Sequence, residues 1–248
     1  MKKVLIWIAI GLGGLVLIGV IAGMVIHEKR PNGQEGPEAD ALARQMLAAV
    51  NQDAWDSTRF VQWTFPGGHH YIWDRNTHWV EVRWGQHRVL LHTPTRHGKA
   101  WVGDQLTTGE EAAQLLDRAW AFFANDSFWL LAFNKVFDSG TRREIVELDN
   151  GDQGLLVTYG SGGVTPGDSY LWLLDEKGRP EAWKIWVQII PIGGLTFSWE
   201  NWATLATGAQ VALDHRNPLF NVGLSAVKGV PKLSDLELSY DPFAEATR

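Results

Sequence analysis

The chain has 248 residues, a formal net charge of -6 and no cysteine. The missing cysteines exclude disulfides, thiolate metal sites and thiol nucleophiles, and the scattered basic residues argue against a nucleic-acid partner, which would need a face rich in Lys and Arg. Fourteen tryptophans and ten phenylalanines stand beside only four tyrosines, and such stiff, apolar rings are typical of a wide core or an apolar cavity.

An apolar run, VLIWIAIGLGGLVLIGVIAGMVI, occupies residues 4–26 and contains no charged or strongly polar side chain. About 20 such residues are needed to cross the ~30 Å hydrocarbon layer of a bilayer. The apolar core of a cleavable signal peptide is shorter, at about 7 to 15 residues. We therefore predict an uncleaved transmembrane signal anchor over residues 1–27. A cleaved signal peptide, with Val20 and Ala22 as the small residues before the cut, is the alternative.

Basic residues flank the apolar run on both sides, with Lys2 and Lys3 before it and Lys29 and Arg30 after it. Because these counts tie, only the free N-terminal amine favours one orientation. We predict a single-pass membrane protein whose N-terminus is cytoplasmic. Everything after His27 would then lie outside the cytoplasm, on the periplasmic side of the inner membrane.

Two further regions follow the anchor. Residues 28–40 are polar and contain prolines and glycines, which predicts a linker. Residues 41–248 are predicted to form a single domain without internal repeats. Apolar residues at helical spacing indicate a short amphipathic helix that starts at Ala41 and ends near Asn51.

Most of the domain has the two-residue alternation of strands. A longer helix interrupts it, because a capping box at Thr107 or Thr108 precedes an apolar stripe from Ala112 to Phe123. The apolar run at 128–133 cannot be assigned by periodicity alone. Strands are predicted at 59–65, 69–74, 77–84, 143–148, 154–159, 169–175, 182–190, 196–203 and 235–240. These elements predict an α+β fold: a large curved antiparallel sheet, a half-barrel, with helices covering its concave face.

The segment FPGGHHYIWDRNTHW, residues 65–79, is rich in histidine and is predicted to be a hairpin around a turn at Arg75-Asn76. The expected register pairs Trp73 with His78 and places His70 opposite Glu81. Neighbouring residues of a strand point to opposite faces, so His69 and His70 cannot bind one metal ion. We predict no metal site and no cofactor.

Three stretches resemble a known group of proteins: WTFPGGHHYIWD (63–74), NDSFWLLAFNKVFDSG (125–140) and TPGDSYLWLLDEKGRPEAWKIW (165–186). They look like segments of uncharacterised bacterial exported proteins in the LolA/LolB-like, or lipoprotein-localisation factor-like, superfamily. The resemblance implies a half-barrel of about eleven strands with helices in its mouth. In the well-studied members the apolar concave face holds acyl chains. No catalytic residue is established in the family that this chain most resembles.

The sequence contains no nucleophile elbow, no phosphate-binding glycine loop and no H-E-x-x-H motif. We predict a non-enzymatic protein that binds a hydrophobic small molecule, lipid or acylated protein between sheet and helices. Two alternatives stay open: a metal-dependent hydrolase that uses His70, Asp74 and Glu81 on the polar sheet face, and a structural envelope interaction module. The residues predicted to line the ligand cavity are Trp63, Phe65, Trp73, Trp84, Leu116, Trp120 and Trp183.

Overall fold

The computed structural model describes residues 27–163 and 165–246. Almost all of the predicted anchor, residues 1–26, lies outside the described residues. In the part that is described, no helix is both long and apolar enough to cross a membrane. The helices are α1 (Pro37–Ala49), α2 (Gln52–Ser57) and α3 (Gly109–Leu131). The strands are β1 (Phe60–Phe65), β2 (His69–Asp74), β3 (Trp79–Trp84), β4 (His87–His92), β5 (Gly98–Val102), β6 (Gln105–Thr107), β7 (Thr141–Glu147), β8 (Gln153–Tyr159), β9 (Ser169–Leu174), β10 (Pro180–Trp186), β11 (Leu195–Ser198), β12 (Glu200–Thr204), β13 (Gln210–Arg216), β14 (Asn221–Gly223) and β15 (Ser225–Val230).

The strands form three antiparallel sheets, so the predicted α+β class with large antiparallel sheets is confirmed. Sheet I has seven strands in the order β15-β1-β2-β3-β4-β5-β6, sheet II has five in the order β11-β10-β9-β8-β7, and sheet III has three in the order β12-β13-β14. We expected one curved sheet. Among the described strands, none of the three sheets closes into a barrel.

Two single-residue corners join the sheets. Trp199 separates β11 from β12, and its N–H donates to the carbonyl of Glu181 (2.7 Å) in β10. Leu224 separates β14 from β15, and its N–H donates to the carbonyl of Leu213 (2.7 Å) in β13. Sheet III therefore connects sheets II and I, and the strand directions continue through both corners.

The alternation of strand directions gives the molecule two ends. The upper end carries the connections at 66–68, 85–86, 103–104, 160–168, 187–194 and 217–220. The lower end carries those at 75–78, 93–97, 148–152, 175–179 and 205–209. Antiparallel neighbours require this arrangement, because each turn returns the chain beside the strand that it leaves.

Helix α3 crosses the inner faces of the sheets and packs against β4, β5 and β13. It begins after Thr108, whose side chain makes no capping hydrogen bond, so the predicted capping box is not formed. It also extends beyond the predicted stripe and contains residues 128–131 of the unassigned apolar run. A turn of 3-10 helix, Ala132–Lys135, follows it.

Several element boundaries differ from the expectations. Helix α1 begins at Pro37 inside the predicted linker, since proline is favoured in the first turn of a helix. The predicted strand at 235–240 does not form; residues Leu233–Leu236 are a 3-10 turn instead. That turn places Leu236 against Phe60 and Ile72 on the outer face of sheet I. The C-terminal segment thereby covers apolar side chains that the sheet alone would expose.

Candidate functional site

The space between α3 and sheet I is filled by aromatic rings. Trp63 of β1 stacks on Tyr71 of β2 with ring centroids 4.4 Å apart, and Phe123 of α3 packs against Trp63 at 6.2 Å. Trp73 meets the same phenylalanine edge-on at 5.2 Å. These contacts bury apolar ring surface from both elements and hold the helix on the inner face of the sheet.

A second aromatic cluster lies on the inner face of sheet II. Trp172, Trp183 and Trp199 have ring centroids 4.9 to 5.0 Å apart, and all three side chains are buried. Trp129 of α3 packs edge-on against Trp183 at 5.2 Å and against Phe197 at 4.9 Å. Helix α3 therefore separates two tryptophan-rich surfaces and touches both.

The seven predicted cavity residues do not form one group. Trp63, Trp73 and Trp120 converge on Phe123. Trp84 contacts Phe122 of α3 (5.4 Å), which also stacks on His69 beside Phe65. Leu116 packs against the same core, and Trp183 belongs to the sheet II cluster on the other side of α3. The rings of α3 fill the space where the sequence predicted a ligand cavity.

Within residues 27–163 and 165–246, five buried indole nitrogens on these inner faces have no hydrogen-bond partner. They belong to Trp63, Trp73, Trp172, Trp183 and Trp199. Buried tryptophan N–H groups ordinarily find an acceptor, and an unsatisfied buried donor costs about 1–3 kcal/mol. Other indoles of the chain do find one: Trp55 Nε1 donates to the carbonyl of Gln210 (2.9 Å). Among the described residues, the buried indole nitrogens without a partner are these five, and all of them lie on the inner faces.

A buried carboxylate attaches α3 to sheet I near the upper end. Asp126 Oδ2 accepts a hydrogen bond from the Tyr71 hydroxyl (2.5 Å) and lies 2.7 Å from His69 Nδ1, and its Oδ1 accepts from Asn125 (2.8 Å). Burial raises the pKa of Asp126, and these hydrogen bonds offset part of the rise. Burial also raises the pKa of Tyr71, and the neighbouring carboxylate adds to that effect.

The His69 imidazole and the Asp126 carboxylate form a pair of the kind that activates a hydroxyl nucleophile in hydrolases. His69 Nε2 makes no hydrogen bond to a hydroxyl within the described part of the chain. The sequence-based prediction missed Asp126 because the predicted apolar stripe was followed only as far as Phe123. The signal was present: the apolar stripe through Ala119 and Phe123 continues at helical spacing to Asp126 and Leu130, so a carboxylate there had to face the sheet.

His215 of β13 is a second buried ionisable group that contacts the tryptophans. Its ring lies 4.4 Å from that of Trp199 and 5.4 Å from that of Trp129, and it is fully buried. Burial lowers the pKa of His215 to about 4, although the nearby backbone of Ser198 and Trp129 offsets part of the change. Neither ring nitrogen makes a hydrogen bond of good geometry with the part of the chain that the structure describes. The imidazole is therefore neutral at pH 7.

The predicted register of the β2–β3 hairpin is wrong by two residues. Tyr71 pairs with Val82 and Ile72 with Glu81, while His70 faces Arg83. A shift of two residues keeps the paired side chains of both strands on their predicted faces, because side chains alternate with a period of two, but Thr77 and His78 lie in the turn. The expected pairing of His70 with Glu81 is lost.

The three polar residues of the hydrolase alternative are bound to separate partners. Glu81 accepts from Arg83 (2.8 Å), Arg88 (2.5 Å) and Tyr240 (2.6 Å). His70 lies 2.9 Å from the hydroxyl of Thr64, and Arg59 donates twice to Asp74. Burial alone would raise the pKa of Asp74, but these and other hydrogen bonds hold it below its ordinary value. In residues 27–163 and 165–246, no group of three His, Asp or Glu side chains has the arrangement of a metal site.

Two surface clefts lie away from the predicted cavity residues. One of about 760 Å³ is bounded by α1 and the turns after β7 and β9, and it includes Gln45, Asp175 and Lys177. The other, of about 510 Å³, lies between the β3–β4 turn and the C-terminal segment and includes Arg88 and Tyr240. Both are lined mainly by polar and charged groups, so neither has the lining expected for an apolar ligand.

Comparison with known proteins identifies no family for this chain. No protein-family model and no curated protein matches it. A similar solved structure is the crystal structure of a DUF1329 family protein from Desulfovibrio piger, with a TM-score of 0.37 and 9% sequence identity. The match covers 80% of this chain and 98% of that chain. The LolA/LolB-like resemblance is not confirmed by these comparisons.

Proposed function

We propose that this protein is a membrane-anchored, extracytoplasmic and non-enzymatic binder of a hydrophobic ligand. The ligand would be a lipid, fatty acid or acylated chain that carries a carbonyl or carboxylate oxygen. The observation that carries the proposal is the set of five unpartnered indole N–H groups on the inner faces of sheets I and II. An acyl chain matches the rings in polarity, and its oxygen supplies the acceptor that they lack.

Helix α3 is the element that must move to admit such a ligand. Its contacts with the sheets are mainly aromatic and apolar. An acyl chain can therefore replace them, and few buried polar groups would lose their hydrogen-bond partners. Asp126 is the main exception, because it is hydrogen-bonded to Tyr71 and His69. We place the opening at this upper-end attachment, with the open form corresponding to the LolA-like half-barrel that the sequence resembles.

We do not propose a hydrolase, because the side chains of His70, Asp74 and Glu81 are each hydrogen-bonded to different residues. The predicted membrane anchor, periplasmic location and absence of cofactor remain parts of the proposal.

Native mass spectrometry of the full chain after mild detergent extraction tests the binding directly. We expect a copurifying lipid or fatty acid, and its occupancy should fall in Trp183→Phe, which keeps an aromatic ring but removes an unpartnered N–H. The matched control is Trp55→Phe, since Trp55 already has an acceptor and lies on α2. A preparation without adduct that also fails to bind a fluorescent fatty acid would contradict the proposal.

A further inference from the structure

Large apolar side chains are exposed in two connections at the upper end. Ile189 lies in the β10–β11 connection with 69% of its surface exposed, and Leu219 and Phe220 lie in the β13–β14 connection with 68% and 44% exposed. Single exposed apolar residues are ordinary on protein surfaces, but several at one end indicate an interaction site.

The β13–β14 connection packs on β11, the strand that directly follows the connection carrying Ile189. Asn217 donates to the carbonyl of Thr196 (2.7 Å), and the Phe220 ring packs on Phe197 at 5.1 Å. The exposed apolar residues therefore lie on neighbouring parts of one surface.

The first described residues are fixed to the same surface. The Gly193 N–H donates to His27 Nδ1 (3.0 Å), and the Glu28 N–H donates back to the Gly193 carbonyl (2.9 Å). Lys184 and the Trp186 indole hold the side chain and the carbonyl of Glu28. The chain therefore reaches His27, directly after the apolar run 4–26, beside the connection that carries Ile189.

Residues 28–36 were predicted as part of a linker, but hydrogen bonds hold them against the domain. Arg30 donates to Glu144 (2.6 Å) and to Ser169 (3.0 Å), and Gln34 forms a β-bridge with Ile145 of β7. A segment that is hydrogen-bonded along its length cannot act as a long spacer between membrane and domain.

We propose that the upper end of the domain rests on the bilayer, with Ile189, Leu219 and Phe220 inserted into the interface between headgroups and acyl chains. The inference rests on the membrane anchor in the proposed function and adds the orientation of the domain. Inserting these side chains removes apolar surface from water, which favours binding to an interface. The attachment of α3 at Asp126 also lies near the upper end, so the opening would face the source of a lipid ligand.

Depth-dependent fluorescence quenching tests this orientation in the full chain. Because the chain has no cysteine, the variants Ile189→Cys and Leu219→Cys each provide one labelling position for an environment-sensitive dye. The control is Ala206→Cys, an exposed position in the lower-end turn 205–209. Each labelled protein is reconstituted into nanodiscs that contain lipids with a nitroxide at the headgroup or along the acyl chain.

We expect labels at positions 189 and 219 to be quenched several-fold more strongly than the label at 206, with blue-shifted emission. Equal, weak quenching at all three positions in protein that is retained by the nanodiscs would overturn the orientation while leaving the anchor intact. Protein that does not associate with the nanodiscs would overturn the anchor and the orientation together. Ligand binding by such protein, measured with a fluorescent fatty acid, would separate that failure from failure of the binding function.

Discussion

Trp183 and Trp55 form a matched pair for measuring the effect of an unpartnered indole on stability. Both side chains are fully buried, but only Trp55 has an acceptor for its N–H group. Replacement by Phe removes a similar ring volume at each position. We expect Trp55→Phe to lower the free energy of unfolding by about 1–3 kcal/mol more than Trp183→Phe, because only the former breaks a hydrogen bond.

Chemical denaturation of the ligand-free protein measures both variants. Equal losses of stability would mean that the Trp183 N–H has an acceptor after all, such as an ordered water molecule, and the main support for the ligand site would be removed.

His215 predicts a loss of stability in mild acid. Its pKa is lowered from the usual 6.5 to about 4 by burial, so the unfolded chain takes up a proton that the folded chain does not between these values. Stability should therefore be fully present above pH 6.5 and fall as the pH is lowered toward 4, by about 3 kcal/mol from this group.

The variant His215→Leu should remove this contribution and flatten the profile of unfolding free energy between pH 6.5 and 4. The exposed His97, changed to Gln, is the control and should leave the profile as it is. An unchanged slope in His215→Leu would show that the imidazole is protonated or solvated in the folded state.

At the scale of elements, the approach of α3 to sheet I depends on Gly98 in β5. A Cβ at this position would lie 2.0 Å from the carbonyl oxygen of Leu90 and 2.9 Å from a methyl group of Leu116. We expect Gly98→Ala to destabilise the fold by about 1–3 kcal/mol through overpacking. In Gly223→Ala the nearest atom to the added Cβ would be Oδ1 of Asp214, 3.5 Å away, and the change should stay within about 0.5 kcal/mol. Thermal or chemical unfolding compares the two, and equal effects would contradict the close packing.

The sequence predicted some strands closely, but it did not predict β4–β6 or β13–β15. Alternation located strands such as β1 and β8 within one residue of their observed limits, and it assigned the faces of the β2–β3 hairpin. It did not predict the register, because the turn has four residues. Asp74 Oδ1 accepts from the N–H groups of Asn76 and Thr77, and His78 takes a positive φ of 60°.

Features that depend on distant elements were not predictable from one sequence. The two corners follow from hydrogen bonds across strands, so the pattern at 196–203 did not reveal that Trp199 divides two sheets. The aromatic residues of the proposed site were identified individually. That Trp183 lies in a separate cluster, and that its indole lacks an acceptor, depends on how α3 packs between the sheets.

At the scale of the whole molecule, the fold has an apolar interior that α3 fills and an upper end where the described chain begins. The proposed function requires exchange between the helix and a ligand on the inner faces, and the proposed orientation brings that exchange close to a bilayer. The proposed function depends on one property of the interior: five buried indole N–H groups there have no acceptor within the described residues, whereas other indoles, including that of the buried Trp55, are already bound. Trp186 and Trp202, for example, donate to backbone carbonyls at 2.8 and 3.0 Å.

Nuclear magnetic resonance of the full chain with ¹⁵N-labelled tryptophan tests this central claim most directly, because each indole N–H gives its own signal. On addition of a long-chain fatty acid, we predict downfield shifts for unpartnered indoles, led by Trp172, Trp183 and Trp199, as they gain an oxygen acceptor. The signals of Trp55, Trp186 and Trp202 should stay in place, since their acceptors are internal. Unpartnered indoles that do not respond to the fatty acid, or that respond no more than the partnered ones, would contradict the proposed binding function.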